Sequence, residues 1–211
     1  LNPPFTRLVS AYNSRGIAYR SLGIHKEAIK DFDTAIKLDP EYQKAYNNRG
    51  ITYMILNEYQ ETIKDLSISI KLKPEDVEAY NLRGAAYVNT GDYRQAIKDL
   101  DTAIQLDPVS ADAYYNRGTA YRRIEDNYRA INDFSMAIKL DPRHAEAYNN
   151  RGNAHRDLGS YQQATEDYSM AVKINPQDAI AYRNRGITYK NMGNHGQAIK
   201  DFKKADELSL R

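Results

Sequence analysis

Residues 111–144 read ADAYYNRGTAYRRIEDNYRAINDFSMAIKLDPRH, and the residues outside them repeat the same offsets. Gly118 is one of six glycines, Gly16, Gly50, Gly84, Gly118, Gly152 and Gly186, each 34 residues from the next. Four residues before each stands a tyrosine (Tyr12, Tyr46, Tyr80, Tyr114, Tyr148, Tyr182), and three after it Tyr19, Tyr53, Tyr87, Tyr121, His155 or Tyr189. Small residues follow twelve and nineteen positions after the glycine, as Ala130 and Ala137 do here. Between them, sixteen after, lies a large residue: Phe32, Leu66, Leu100, Phe134, Tyr168 or Phe202. Proline closes five copies at Pro40, Pro74, Pro108, Pro142 and Pro176.

A fixed period of this length predicts a stack of identical supersecondary units. Each unit holds two helical stretches, for example Ala45–Leu56 and Glu61–Leu72, and a turn such as Thr90-Gly91-Asp92 separates the pair. Glycine and alanine at the same interior offsets mark places where helices approach closely, since neither is chosen there for propensity alone. One helix pair cannot bury its apolar side by itself, so neighbouring pairs supply the core.

The six in-phase copies resemble the tetratricopeptide (TPR) family, with tyrosine in place of its usual tryptophan. The resemblance implies an all-α, right-handed superhelical solenoid of six antiparallel helix pairs with a concave groove. The repeats are expected at 9–42, 43–76, 77–110, 111–144, 145–178 and 179–211, after a lead-in over 1–8. Asn2, Pro3 and Pro4 are similar to the close of a preceding repeat, out of register. In the last second helix Lys203, Lys204 and Asp206 replace Ser135, Met136 and Ile138 of the fourth copy, and the array is expected to end there.

On a helical wheel the tyrosines and glycine of each first helix share one side. The opposite side holds residues six before, three before, one after and five after the glycine, and the resemblance makes this the groove lining. Asn47, Asn81 and Asn149 stand three before; Asn48, Asn116, Asn150 and Asn184 stand two before, on its flank. An amide carries a donor and an acceptor and pairs with any peptide unit. The arrangement resembles the asparagine ladder of O-GlcNAc transferase repeats, without any trace of that enzyme's catalytic region. The other reading is that asparagine merely solvates an exposed helix.

Two further features mark this face. Ile51, Met54 and Ile55, with Ile17, Ala85 and Val88, make it apolar in the early copies, which suits a docking site. Glu78, Asp112 and Glu146 lie near first-helix starts, and Arg122, Arg123, Arg156 and Lys190 near the ends, as the helix dipole favours. A family specialisation grips a C-terminal carboxylate with Lys three before one glycine and further bases two repeats on. Here those sites hold Asn or Tyr in the first five copies and acids in the third to fifth, which argues against such a clamp.

An arginine precedes every glycine (Arg15, Arg49, Arg83, Arg117, Arg151, Arg185), and an aspartate follows fifteen after (Asp31, Asp65, Asp99, Asp133, Asp167, Asp201). Folding the second helix back brings the two level, so internal ion pairs are expected.

The composition excludes other classes. Thirty Lys plus Arg against 28 Asp plus Glu give a net charge of +2, no basis for holding nucleic acid or an anionic membrane. There is no cysteine, and no apolar run long enough to span a bilayer. His25, His144, His155 and His195 lack metal-ligand spacing, and no nucleophile triad or phosphate loop is present. We therefore expect no catalysis, no metal and no cofactor. The expected function is a cytoplasmic interaction scaffold holding an extended or helical polypeptide segment in the groove. The alternative is a structural scaffold that self-associates through its ends or by groove insertion.

Overall fold

A computed structural model describes residues 3–210 and contains twelve α-helices, with no strand among the described residues. Residues 1, 2 and 211, on which parts of the expected lead-in and close fall, lie outside them. The chain divides into two compact units, one ending at Pro108 and the other beginning at Val109. The first unit holds α1 (Pro3–Ser21), α2 (His25–Leu38), α3 (Gln43–Ile55), α4 (Tyr59–Leu72), α5 (Val77–Thr90) and α6 (Tyr93–Leu106). The second holds α7 (Ala111–Arg123), α8 (Asn127–Leu140), α9 (Ala145–Asp157), α10 (Tyr161–Ile174), α11 (Ala179–Asn191) and α12 (His195–Ser209). Each expected copy is one helix pair, and α1 runs back through the lead-in to Pro3.

Local chemistry sets the helix ends. The residue before each proline is held extended by the pyrrolidine ring. Asp39, Lys73, Asp107 and Asp141 accordingly leave the helix with φ between −140° and −127° and ψ near 90°. The next helix restarts on a side-chain cap in several copies: Asp76 accepts from the Ala79 N–H at 3.2 Å and Ser110 from Ala113 at 3.3 Å. Within a pair the turn needs a left-handed residue seven after the repeat glycine. Gly23, Gly91, Gly159 and Gly193 take φ of 74–84° there, while Asn57 (59°) and Glu125 (64°) adopt it without glycine's freedom.

The repeat glycines sit where the two helices of a pair cross. A Cβ added at Gly118 would lie 2.9 Å from the Phe134 ring, and one at Gly84 2.6 Å from Leu100. Phe134 and Leu100 are fully buried, so they have no room to yield. Ala45, Ala79, Ala113, Ala147 and Ala181, five before the second to sixth repeat glycines, are also 0% exposed.

Within each unit the second helix of a pair also packs on the first helix of the next, as α2 does on α3 and α8 on α9. First helices touch one another, α1 with α3 and α3 with α5, and likewise α7 with α9 and α9 with α11. Among the described residues no such contact joins successive second helices. Each unit therefore curves with its first helices on the inside.

Candidate functional site

All six expected ion pairs form. Nε and Nη2 of each arginine donate to the two carboxylate oxygens sixteen residues on, at 2.6–2.9 Å. Such a forked pair satisfies both charges in a site where either alone is costly. The Asp65 side chain is 1% exposed and that of Arg49 17%. The hydrogen bond it donates to Asp201 holds the Arg185 guanidinium above its ordinary pKa, against the opposing pull of burial. The tyrosines flank these cations: the Arg117 guanidinium lies 5.6 Å from the Tyr114 ring centre and 5.9 Å from Tyr121.

The remaining nitrogen makes a contact that the sequence pattern did not disclose. Nη1 of Arg49 donates to Asp33, of Arg83 to Ser67 at 3.0 Å, of Arg151 to Ser135 at 3.0 Å and of Arg185 to Ser169 at 3.1 Å. Each acceptor stands sixteen residues before its arginine, on the preceding pair. Ser135, which Lys203 replaces in the last copy, is thus a hydrogen-bond acceptor. These arginines hold the stack together and are not presented to a ligand.

The inner face carries the asparagines. In the first unit Asn48 donates its amide to Asn13 Oδ1 at 3.0 Å, and Arg20 donates to Asn48 Oδ1 at 3.2 Å and to its carbonyl at 3.0 Å. In the second unit Asn184 donates to Asn149 Oδ1 at 3.0 Å, and Arg156 reaches Asn184 Oδ1 at 3.5 Å. Asn150 donates to the Tyr115 hydroxyl at 3.0 Å and accepts from Asn153 at 3.4 Å. The common element is a rung: the side chain two before one glycine donates to the side chain three before the previous glycine. Asn81 and Asn116 are not without partners either. Asn47 departs from the rule, because its Oδ1 is buried and meets no donor. The residue that would supply one, two before the next glycine, is Leu82.

The apolar group of the first unit lies on the same face. Ile51 and Met54 are half-buried and Ile55 is 51% exposed. With Asn47 they follow helical spacing along α3. In the second unit Arg123 is exposed, and Arg122 and Arg156 are half-buried, 3.8 Å and 3.9 Å from the Asp157 carboxylate. Burial pulls the pKa of Arg122 below its ordinary value, and its Nε finds no acceptor. Arg20, which sequence reasoning did not single out, closes a rung as Arg156 does. Among the described residues no cluster of three or more metal-ligating side chains occurs, and no helix is long and apolar enough to cross a membrane.

Comparison with known proteins matches this geometry to one family. Models described as "Tetratricopeptide repeat" match residues 9–42, 111–144, 32–64, 134–166 and 179–210, and one described as "TPR repeat" matches 86–124 and 152–193. No curated protein sequence matches. Among solved structures, MamA is similar at 30% identity over 76% of this chain and 94% of its own, with a TM-score of 0.69. YrrB, titled a TPR protein with an unusual peptide-binding site, shows 23% identity over 84% and 91%, with a TM-score of 0.65. Cut9, in the APC/C Cut9–Hcn1 hetero-tetramer, shares the fold along 100% of this chain and 41% of its own at 20% identity, with a TM-score of 0.84. The repeat matches and the likeness to MamA establish that this chain belongs to the tetratricopeptide-repeat family.

Proposed function

We propose that this chain is a non-catalytic interaction scaffold that holds an extended polypeptide segment against the inner face of its first helices. The observation that carries the reading is the aliphatic side chains of Ile51, Met54 and Ile55 beside the Asn47 amide on that face. Exposed aliphatic surface bordered by polar groups favours a ligand that brings both. Asn81, Asn116, Asn149 and Asn150 line the same faces, with Arg122, Arg123 and Arg156 at the rim. Asn48, Asn150 and Asn184 act as the frame, since their amides are spent within the rungs. The fold neighbour YrrB is titled as having a peptide-binding site, which supports a peptide ligand here.

The test begins with a phage-displayed random 12-residue library selected on the immobilised chain. Selected peptides are synthesised with a fluorophore and titrated by anisotropy. Ile51→Thr with Ile55→Asn should weaken them at least about tenfold, the loss of roughly two buried aliphatic groups. Thr119 and Asn89 hold the equivalent positions in other copies, so the helix tolerates both residue types. Unchanged affinity, with unchanged circular dichroism, places the ligand elsewhere and removes the proposal.

A further inference from the structure

We infer that the gap left by Leu82 makes Asn47 the main-chain-reading amide of a subsite for an aliphatic residue in an extended peptide. The inference rests on the groove reading above and adds to it a position, a register and a chemistry. It begins from an irregularity. In the first and fifth copies the amide three before the glycine is held: Asn13 accepts from Asn48, and Asn149 from Asn184. In the fourth copy the Tyr115 hydroxyl takes that role with Asn150. The register that joins these residues brings Asn47 level with Leu82, a side chain with no hydrogen to give. The Asn47 Oδ1 is accordingly buried and unpaired.

Such an atom calls for a donor. Leu82 itself is committed to the core, where it packs against Leu66, Ile70 and Ala79, so it will not rotate away to admit one. The Asn47 side chain is only half-buried and no side-chain hydrogen bond fixes its amide oxygen. Turning about its last torsion brings the oxygen towards the groove, a soft motion for an amide. A peptide unit offers the N–H that Oδ1 requires once it faces the groove. A carboxylate or phosphate offers no donor to Oδ1.

The surroundings specify the side chain that accompanies that peptide unit. Ile51, Met54 and Ile55 follow Asn47 at four, seven and eight residues, on one side of α3. Ala85 and Val88 occupy the corresponding side of α5, and both are half-buried. An aliphatic residue adjoining the paired peptide unit removes this surface from water. The two halves of the site belong to one ligand because Asn47 and the aliphatic positions share one side of a single helix.

The experiment uses the selected fluorescent 12-residue peptides and three forms of the full chain: wild type, Leu82→Asn and Asn47→Ala. Asparagine is the residue two before the glycine in four other copies, so Leu82→Asn suits the fold and supplies the missing rung donor. Both variants should lose at least about tenfold in affinity, the measure of one hydrogen bond. Leu82→Asn should do so with the helix content by circular dichroism unchanged, the melting temperature falling only as far as the lost packing on Leu66, Ile70 and Ala79 requires. A scan of singly N-methylated peptides should show one position, next to an aliphatic residue, whose methylation abolishes binding to wild type. If Ile51→Thr with Ile55→Asn weakens binding while Leu82→Asn and every N-methyl position do not, the groove reading stands and the Asn47 subsite falls. If no peptide is selected, or none responds to any of these changes, both fall.

Discussion

At the scale of single residues, the fifth copy shows how one substitution obliges another. Tyr168 takes the fully buried place held by phenylalanine or leucine elsewhere, and its hydroxyl donates to Asn153 Oδ1 at 2.9 Å. Asn153 stands where Ile51 and Ile187 stand in other copies and is 8% exposed. Burial pushes the Tyr168 phenol up to about 12. The unfolded chain releases that proton near the ordinary value of about 10. Between those values the folded state binds the extra proton, so this contribution is complete below about pH 10. It is lost as the pH rises towards 12, by roughly 2–3 kcal/mol. Tyr168→Phe should cost about 1–3 kcal/mol at pH 8, since it strands the Asn153 oxygen. That difference should shrink to near zero by about pH 11.5. Urea midpoints of the two proteins across this range test the sign; a difference that widens with pH contradicts it. The sequence displayed both residues but not their contact, because a tyrosine among phenylalanines reads as one more large core residue.

At the scale of helices, the pairing of Arg117 with Asp133 locks α7 to α8. Arg117→Ala takes the forked guanidinium away from a carboxylate with 8% exposure, and should cost about 1–4 kcal/mol. Arg123→Ala, at an exposed position, should change stability by no more than about 0.5 kcal/mol. Chemical denaturation giving equal losses would put one of the arginines on the wrong side of its helix. This pairing was legible in the sequence because arginine and aspartate recur together in every copy. The backward contact to Asp33, Ser67, Ser135 and Ser169 was not, because its acceptor alternates between two residue types. The turns were half legible: Gly91 announced its own, whereas Asn57 and Glu125 enter the same left-handed region with no glycine to mark it.

At the scale of the molecule, the period followed from the glycine spacing and the fold class from the family resemblance that the repeated offsets carry, and the described helices keep that phase. The fate of the inner-face asparagines was harder to read. A wheel sorts residues by side within one helix, while a rung such as Asn48 to Asn13 joins residues 35 apart on different helices. The arginine contacts are symmetric in sequence: Arg185 reaches Asp201 sixteen residues ahead and Ser169 sixteen behind. Removing residues 145–178 therefore presents Arg185 with Ser135 and Asn184 with Tyr115, partners of the kind each already uses. That shortened protein should keep its helix content per residue and melt cooperatively. Removing 145–177 instead turns every later position by about 100° and should abolish cooperative melting. Circular dichroism on both distinguishes them. Unequal crossing-over between copies of such a gene yields products that fold at once whenever whole units are exchanged. Repeat number is thus a trait that recombination alters in a single step, while the chemistry inside each unit changes only one codon at a time.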